Sequence, residues 1–189
     1  MTAPTGCIGL DFGTTHIKAG LFDQAGKRIR LERVPTPQAR DDYGTVYDAA
    51  QIAETVTGLL QALAETGVPI RLISVTGMAE AGVMVERSTG RCLCPLLPWF
   101  DPRTQALAGA VSQEEAHRRF FQTGLRNSFK YGIYKYRWAL AHTQAAPEQT
   151  LWLSAVDYLV YLLTGQAVTD PTYAARTYAY NLDLSLIHI

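Results

Sequence analysis

The feature that most constrains this chain is a pair of short apolar runs near its start, separated by only three residues. Residues 7–12 and 16–22 are both predicted to be strands, and Gly13-Thr14-Thr15 between them is predicted to be a tight turn. Strands joined by so short a turn must be antiparallel, because a parallel pair needs a crossover of a dozen or more residues. The chain therefore opens on a hairpin, and it cannot open on the strand-then-helix unit of a Rossmann fold.

Further strands and a helix follow, and their order indicates a fold class. Residues 27–34 alternate as a third strand, whose many charges favour the edge of a sheet. Apolar residues at helical spacing predict a helix over about 48–65. Residues 70–75 are then a fourth strand, plausibly parallel to the first. The predicted fold is α/β, with a mixed sheet of three antiparallel strands followed by a parallel strand and helices. This order is typical of the opening of an actin-like, ribonuclease-H-like domain.

The remaining segments are predicted in less detail. Residues 35–47 are expected to be a loop because they contain two prolines and a glycine. Residues 81–86 and 91–97 are expected to form a second hairpin, with its turn at 88–90. The second half of the chain is expected to be mostly helical.

The turn of the first hairpin has the chemistry of a phosphate loop. Gly13 lets a backbone approach a phosphate closely, and turn amides with the hydroxyls of Thr14 and Thr15 can donate hydrogen bonds to phosphate oxygens. Asp11 offers the hard oxygen ligand that Mg²⁺ prefers, and Lys18 adds a cation. No Walker A sequence occurs. The alternative interpretation is an ordinary hairpin, since Asp, Gly and Thr are common in turns and strands.

Composition narrows the classes of partner. Lys plus Arg and Asp plus Glu both total 17 among 189 residues, so no basic field is available to hold nucleic acid. No stretch approaches the roughly 20 apolar residues of a membrane span. The three cysteines make a poor disulfide framework because their number is odd. A cytoplasmic location is expected, since free thiols persist in a reducing compartment.

Three later segments resemble those of one protein family in sequence, order and spacing. They read SVTGMAEAG at 74–82, PWFDPRT at 98–104, and, within 157–177, a run that ends in TDPTYAART. Together with DFGTTHIK at 11–18, they make residues 7 to about 184 similar to the N-terminal part of the FGGY family of carbohydrate kinases.

The resemblance implies ATP and Mg²⁺ as cofactors and a small carbohydrate as substrate. It implies phosphate contacts from Gly13, Thr14, Thr15 and Lys18, with Asp11 toward the metal. It places Glu80, Trp99, Asp101 and Arg103 on the substrate side. A carboxylate such as Glu80 can accept strong hydrogen bonds from neighbouring hydroxyls, and Trp99 offers a flat apolar face for a sugar. Asp101 is also explained as a helix N-cap before a proline.

The resemblance also implies that part of the active site is missing. Family members have two actin-like domains with the site in the cleft between them. Residues 1–189 would be the N-terminal domain, incomplete at its C-terminal end, with the second domain absent. The catalytic base is expected beyond residue 189, so no catalytic residue is assigned in this chain, and the chain is expected to be inactive by itself. A homodimer is compatible with the full-length protein.

Neither the carbohydrate that accepts the phosphate nor the functional class of the protein is decided by these residues. Ala79 stands where glycerol-kinase-like members carry arginine, which argues against glycerol. A sugar, a polyol and a sugar acid all remain compatible with Glu80 and Arg103. The alternative function is a non-catalytic actin-like module that binds a partner or assembles. Sugar kinases of the ROK type are a further option, although they usually have two adjacent glycines in the first loop.

Overall fold

The computed structural model describes residues 5–183 and 185–186. The strands, in chain order, are β1 (Gly6–Phe12), β2 (His16–Phe22), β3 (Arg28–Pro35), β4 (Ala39–Asp41), β5 (Gly44–Val46), β6 (Ile70–Gly77), β7 (Gly82–Glu86) and β8 (Thr150–Ser154). The α-helices are α1 (Ala49–Ala64), α2 (Gln105–Gly109), α3 (Gln113–Thr123), α4 (Gly132–Thr143), α5 (Ala155–Thr164) and α6 (Pro171–Arg176). Short 3₁₀ turns cover Pro102–Thr104 and Pro147–Gln149.

The main sheet has four strands in the order β3-β2-β1-β6. The β1–β2 and β2–β3 pairs are antiparallel, and β6 lies parallel to β1. The predicted α/β class with its mixed sheet is confirmed, including the edge position of the charged strand β3. Each of these strands and α1 begins and ends within two residues of the predicted bounds.

The two faces of this sheet differ because the sequences of its strands alternate. On β1, Ile8, Leu10 and Phe12 are buried, whereas Cys7 and Gly9 are exposed. Helix α1 covers the apolar face with buried residues at helical spacing, namely Ile52, Val56, Leu59 and Leu63. The side chain of Asp48 caps α1 by accepting from the amides of Ala50 and Gln51. The other face carries polar and charged residues near the ends of β1 and β6, and exposed leucines on β3 and β6, Leu31 and Leu72.

The prediction of a second hairpin over 81–97 is confirmed in outline but wrong about the main partner of β7. The turn at 88–90 exists, but β7 pairs along its length with β8, 64 or more residues later. Residues 91–97 run antiparallel to β7 on its other edge, through the bridges Val85–Cys92 and Gly82–Leu97 and several backbone hydrogen bonds. Residues Gly82–Val85 are all buried, so both edges of the strand are covered. The mostly helical second half therefore contains a strand that a five-residue pattern did not reveal.

The prediction of a plain loop over 35–47 is wrong as well. Strands β4 and β5 form a small antiparallel hairpin within it. Its turn is stabilised by Asp41, whose carboxylate accepts from the amide of Tyr43, and Gly44 supplies a positive φ. Two-residue turns of this kind are difficult to detect when the flanking strands have only three residues.

The helices of the second half pack around a smaller cluster of tyrosines. Tyr131 and Tyr178 stack with ring centroids 4.9 Å apart, and Tyr134 is fully buried beside them. Ser154 and Asp157 form a reciprocal capping box that starts α5 directly after β8. None of the helices in the described part of the chain is long and apolar enough to cross a lipid bilayer.

Candidate functional site

The turn between β1 and β2 is hydrogen-bonded to the protein through its carbonyls, and its other side faces solvent. The amide of Gly13 donates to the carbonyl of His16 at 3.1 Å, which closes the turn. Thr36 secures it from the protein side, because its hydroxyl donates to the carbonyl of Gly13 at 2.7 Å and its amide to that of Thr15 at 3.0 Å. Within residues 5–183 and 185–186, the amides of Thr14 and Thr15 donate to no backbone carbonyl. The turn therefore offers free donors of the kind that bind phosphate oxygens.

A row of polar side chains crosses the open face of the sheet beside this turn. Asp11 on β1 is paired with Thr76 on β6 and with Lys18 on β2, and Lys18 is paired with Arg33 on β3. The ammonium of Lys18 lies 3.3 Å from the carboxylate of Asp11, and both side chains are more than 40% exposed. The predicted phosphate residues and the predicted metal ligand are thus brought together on one accessible surface.

The donors near Asp11 suit a magnesium ion better than a metal with protein ligands only. The described residues contain no group of three or more His, Cys, Asp or Glu side chains that could enclose a metal. Mg²⁺ usually takes one or two carboxylates and fills its other positions with water and substrate phosphates. An exposed Asp11 beside free amides and a lysine fits that pattern.

Glu80 lies on the loop that leaves β6, at the same edge of the sheet as the β1–β2 turn. Because β1 and β6 are parallel and end together at the pair Phe12–Gly77, their following loops emerge at the same edge of the sheet. The β6 loop approaches β1 closely, since a Cβ on Gly77 would lie 2.5 Å from the carbonyl oxygen of Phe12. The carboxylate of Glu80 lies 3.5 Å from the guanidinium of Arg176.

Helix α6 supports the Glu80 loop from the far end of the chain. The hydroxyl of Tyr173 accepts a hydrogen bond from the amide of Gly77 at 3.2 Å, and Arg176 pairs with Glu80. The segment TDPTYAART, which carries part of the family resemblance, therefore lies against this loop. Its direct contact with Glu80 was not predicted.

Trp99 faces a cation that the sequence analysis did not assign. The ammonium of Lys130 lies 4.7 Å from the centroid of the Trp99 ring, within the range of a cation–π contact. Phe100 meets the same indole edge-on, with ring centroids 5.3 Å apart. The substrate role of Trp99 stays a prediction, and any sugar beside it would also meet Lys130.

Asp101 and Arg103 are placed together, but their side chains are withdrawn from solvent. Asp101 caps the 3₁₀ turn as predicted, accepting from the amide of Arg103 at 3.0 Å. The guanidinium of Arg103 donates to Asp101 at 2.7 and 2.8 Å and to Asp41 at 2.7 Å, and its side chain is only 1% exposed. The rings of Tyr43 and Trp138 stack on it at 4.7 and 4.5 Å.

The contacts in this cluster shift the pKa values of Asp41 and Arg103. Burial by itself would raise the pKa of Asp41, but hydrogen bonds from Arg103 and from nearby amides outweigh it and lower that pKa. Burial would likewise lower the pKa of Arg103, and its two carboxylate partners raise it instead. The arrangement fixes the β4–β5 hairpin and α4 against the segment 98–104. The substrate contacts predicted for Asp101 and Arg103 stay predictions.

Lys135 is a second residue without a predicted role. It is fully buried on α4, and its ammonium donates to the carbonyl of Lys130. Burial lowers its pKa to about 8, while the charges of Asp101 and Glu80 act in the opposite direction. A lysine on the buried side of a helix is the only sequence signal that marks it. Lys135 therefore lies within electrostatic range of Asp101 and Glu80.

Comparison with known proteins identifies the family. A sequence profile described as the FGGY family of carbohydrate kinases, N-terminal domain, matches residues 7–185. The chain belongs to the FGGY family of carbohydrate kinases. Its relatives include the glycerol kinase of Bordetella parapertussis (strain 12822). The two are 31% identical over an alignment of 198 positions, which covers 96% of this chain and 38% of the relative.

Solved structures of FGGY kinases share the fold. The gluconate kinase from Lactobacillus acidophilus superposes with a TM-score of 0.87 at 24% identity, covering 98% of this chain and 38% of that protein. The Plasmodium falciparum glycerol kinase, solved with ADP, gives a TM-score of 0.87 at 18% identity, covering 98% and 40%. At these identities the likeness shows the fold alone, and it confirms the actin-like class. The FGGY chain spans about two fifths of the length of these proteins.

Proposed function

We propose that this chain supplies the phosphate-binding turn and one wall of the carbohydrate site of an ATP-dependent carbohydrate kinase. The observation that carries the proposal is the placement of the β1–β2 turn beside the Glu80 loop at one edge of the sheet. One loop offers phosphate donors and the other offers a hydroxyl acceptor, as transfer of a phosphoryl group to an alcohol requires.

On the nucleotide side, the turn and its neighbours act by positioning and charge. The amides and hydroxyls of Thr14 and Thr15 donate hydrogen bonds to phosphate oxygens. Gly13 has no side chain, so the phosphate can approach the backbone closely, and Lys18 offsets part of the negative charge. Asp11 would hold Mg²⁺ directly or through water. A bound Mg²⁺ would neutralise part of the negative charge of the phosphates.

On the acceptor side, Glu80 holds the carbohydrate. Its carboxylate accepts hydrogen bonds from neighbouring hydroxyls, and Arg176 keeps it oriented. Trp99 with Lys130 forms the adjoining wall, and the buried Asp101–Arg103 pair fixes that wall in place. The acceptor is a hydroxyl of a sugar, a polyol or a sugar acid, and the kinase acts in the cytoplasm.

The remaining catalytic groups would then lie beyond residue 189. These are the base that takes the hydroxyl proton, the second phosphate loop and the second actin-like domain. A positioned base contributes roughly 10²–10⁴-fold to such a rate. Residues 1–189 alone are therefore expected to bind ligands weakly and to turn over little or no ATP.

Two measurements on the ¹⁵N-labelled 189-residue chain test the proposal. NMR titration with ADP and Mg²⁺ should shift the amides of residues 13–18, and Asp11→Asn should remove the effect of Mg²⁺ on ADP affinity. A coupled assay with glycerol, xylulose and gluconate should give turnover far below the roughly 1–100 s⁻¹ of ordinary kinases. Shifts confined to another surface would contradict the phosphate site, and ordinary turnover would contradict a missing base.

A further inference from the structure

Arg33 occupies an unfavourable position for a residue with only a structural role. It is paired directly opposite Lys18 across the β2–β3 ladder, so two cations share one face of the sheet. Like charges directly opposite each other destabilise a strand pair. Lys18 is partly compensated by Asp11 at 3.3 Å, whereas no ion pair to Arg33 is formed by any described residue.

The contacts of Arg33 direct its guanidinium toward the phosphate turn. Its Nη2 atom lies 3.0 Å from Nδ1 and 3.1 Å from Nε2 of His16, the residue that follows the turn. The lining of one open depression of about 370 Å³ comprises Gly13, Thr14, Thr15, His16, Lys18 and Arg33. Asp11 is not part of that lining, so the depression itself has only neutral and basic walls.

His16 shows the excess of positive charge in this depression. Its pKa is lowered by partial burial first and then by the charges of Arg33 and Lys18. A neutral imidazole is therefore favoured beside the two cations. A polyphosphate placed in the depression would relieve the repulsion among these groups, and free amides and a guanidinium fork would contact its oxygens.

We infer that Arg33 is a further phosphate-binding residue, which contacts the nucleotide's polyphosphate together with Lys18 and the turn amides. The inference rests on the proposed function and deepens it. Guanidinium groups bind phosphate oxygens bidentately through a planar fork, whereas lysine acts as a point charge. Arg33 thus adds directional recognition on β3 that the DFGTTHIK segment does not contain.

The test uses inorganic tripolyphosphate as the probe and the ¹⁵N-labelled 189-residue chain. Wild type should show amide shifts centred on residues 13–18 and a shift of the Arg33 side-chain Nε–H signal. Arg33→Gln should weaken tripolyphosphate binding roughly fivefold, the size expected for one exposed charge-assisted contact. Arg33→Lys should fall between wild type and Arg33→Gln.

The matched control is Arg28→Gln, which removes the same charge from an exposed position on the same strand. It should change the affinity less than twofold, and the dispersion of each spectrum reports that the variant is folded. Equal affinities of Arg33→Gln and wild type, or equal losses in both glutamine variants, would overturn the inference while leaving the phosphate turn intact. A wild-type chain whose turn amides ignore tripolyphosphate would instead overturn the proposed function, and the inference with it.

Discussion

The carboxylate of Glu80 and the guanidinium of Arg176 lie 3.5 Å apart, although 96 residues separate them in the chain. The pair joins the loop after β6 to the end of α6, and the Glu80 side chain keeps 24% of its surface exposed. The carboxylate therefore lies beside a cation and stays partly accessible to a ligand. This geometry fits a hydroxyl-binding group better than a plain surface charge.

Glu80→Gln is accordingly expected to weaken carbohydrate binding roughly tenfold, because hydrogen bonds to a charged acceptor contribute more than those to a neutral one. NMR titration of the chain with glycerol, xylulose and gluconate measures the change. Tripolyphosphate affinity should stay unchanged.

Glu54→Gln on the exposed side of α1 is the control for charge, and it should bind like wild type. Equal effects of the two substitutions, or an unresponsive Glu80 amide throughout the panel, would contradict the substrate role of Glu80.

Gly77→Ala is expected to destabilise the fold, because the added Cβ would lie 2.5 Å from the carbonyl of Phe12 and 3.0 Å from its Cβ. Overpacking of this kind costs about 1–3 kcal/mol. Urea unfolding followed by circular dichroism measures the free energy of unfolding.

Gly58→Ala is the matched comparison, since nothing lies within 4 Å of a Cβ at that position in α1. Relief of glycine's entropic penalty in a helix should make this variant about 0.5–1 kcal/mol more stable than wild type. The two alanine substitutions should thus have opposite signs. A neutral Gly77→Ala would show that β1 and β6 do not approach each other so closely.

The locally encoded parts of this molecule are the ones that the sequence predicted well. The β1–β2 hairpin depends on two apolar runs and a three-residue turn. Its register then places Asp11 directly opposite Lys18. The β7–β8 pair was missed because it joins residues more than 60 apart, and no periodicity reports such a partner.

The site shows the same division between local and long-range information. Glu80 and Trp99 were assigned to the substrate side from segment resemblance, and that role stays a prediction, whereas the partners of Glu80 and Arg103 were not predicted. Asp41 reaches Arg103 across 62 residues through a hairpin that was predicted to be a loop. Buried ion pairs of this kind depend on tertiary packing, which a single sequence does not display.

The Arg103 cluster is expected to tolerate no conservative replacement. Arg103→Lys keeps the charge but loses the fork that spans Asp101 and Asp41 and the stacking on Tyr43 and Trp138. Removing one partner from a buried ion pair costs about 3–5 kcal/mol, and the lysine variant should lose a large part of that.

Thermal and urea unfolding measure this loss. Arg91→Lys is the control, because Arg91 is exposed and forms a loose 3.6 Å pair with Glu86. That variant should stay within about 0.5 kcal/mol of wild type. Wild-type stability of Arg103→Lys would mean that the aromatic stack and the two carboxylates contribute little to the free energy of unfolding.

Lys135 is expected to give the protein a distinctive alkaline dependence. Burial lowers its pKa from 10.5 to about 8 in the folded chain, so between these values the unfolded state binds more protons. The free energy of unfolding should therefore rise with pH in that window through this group, because stability increases where the unfolded state holds the extra proton. Lys135→Met should remove the rise.

The comparison is made by urea unfolding at several pH values from 7 to 10, as the difference between variant and wild type. Buried tyrosines such as Tyr47, whose pKa is raised to about 12 by burial, contribute equally to both proteins and cancel in that difference. Lys27→Met, at an exposed position, should run parallel to wild type. Parallel curves for Lys135→Met would instead mean that its ammonium is as well solvated in the folded chain as in the unfolded one.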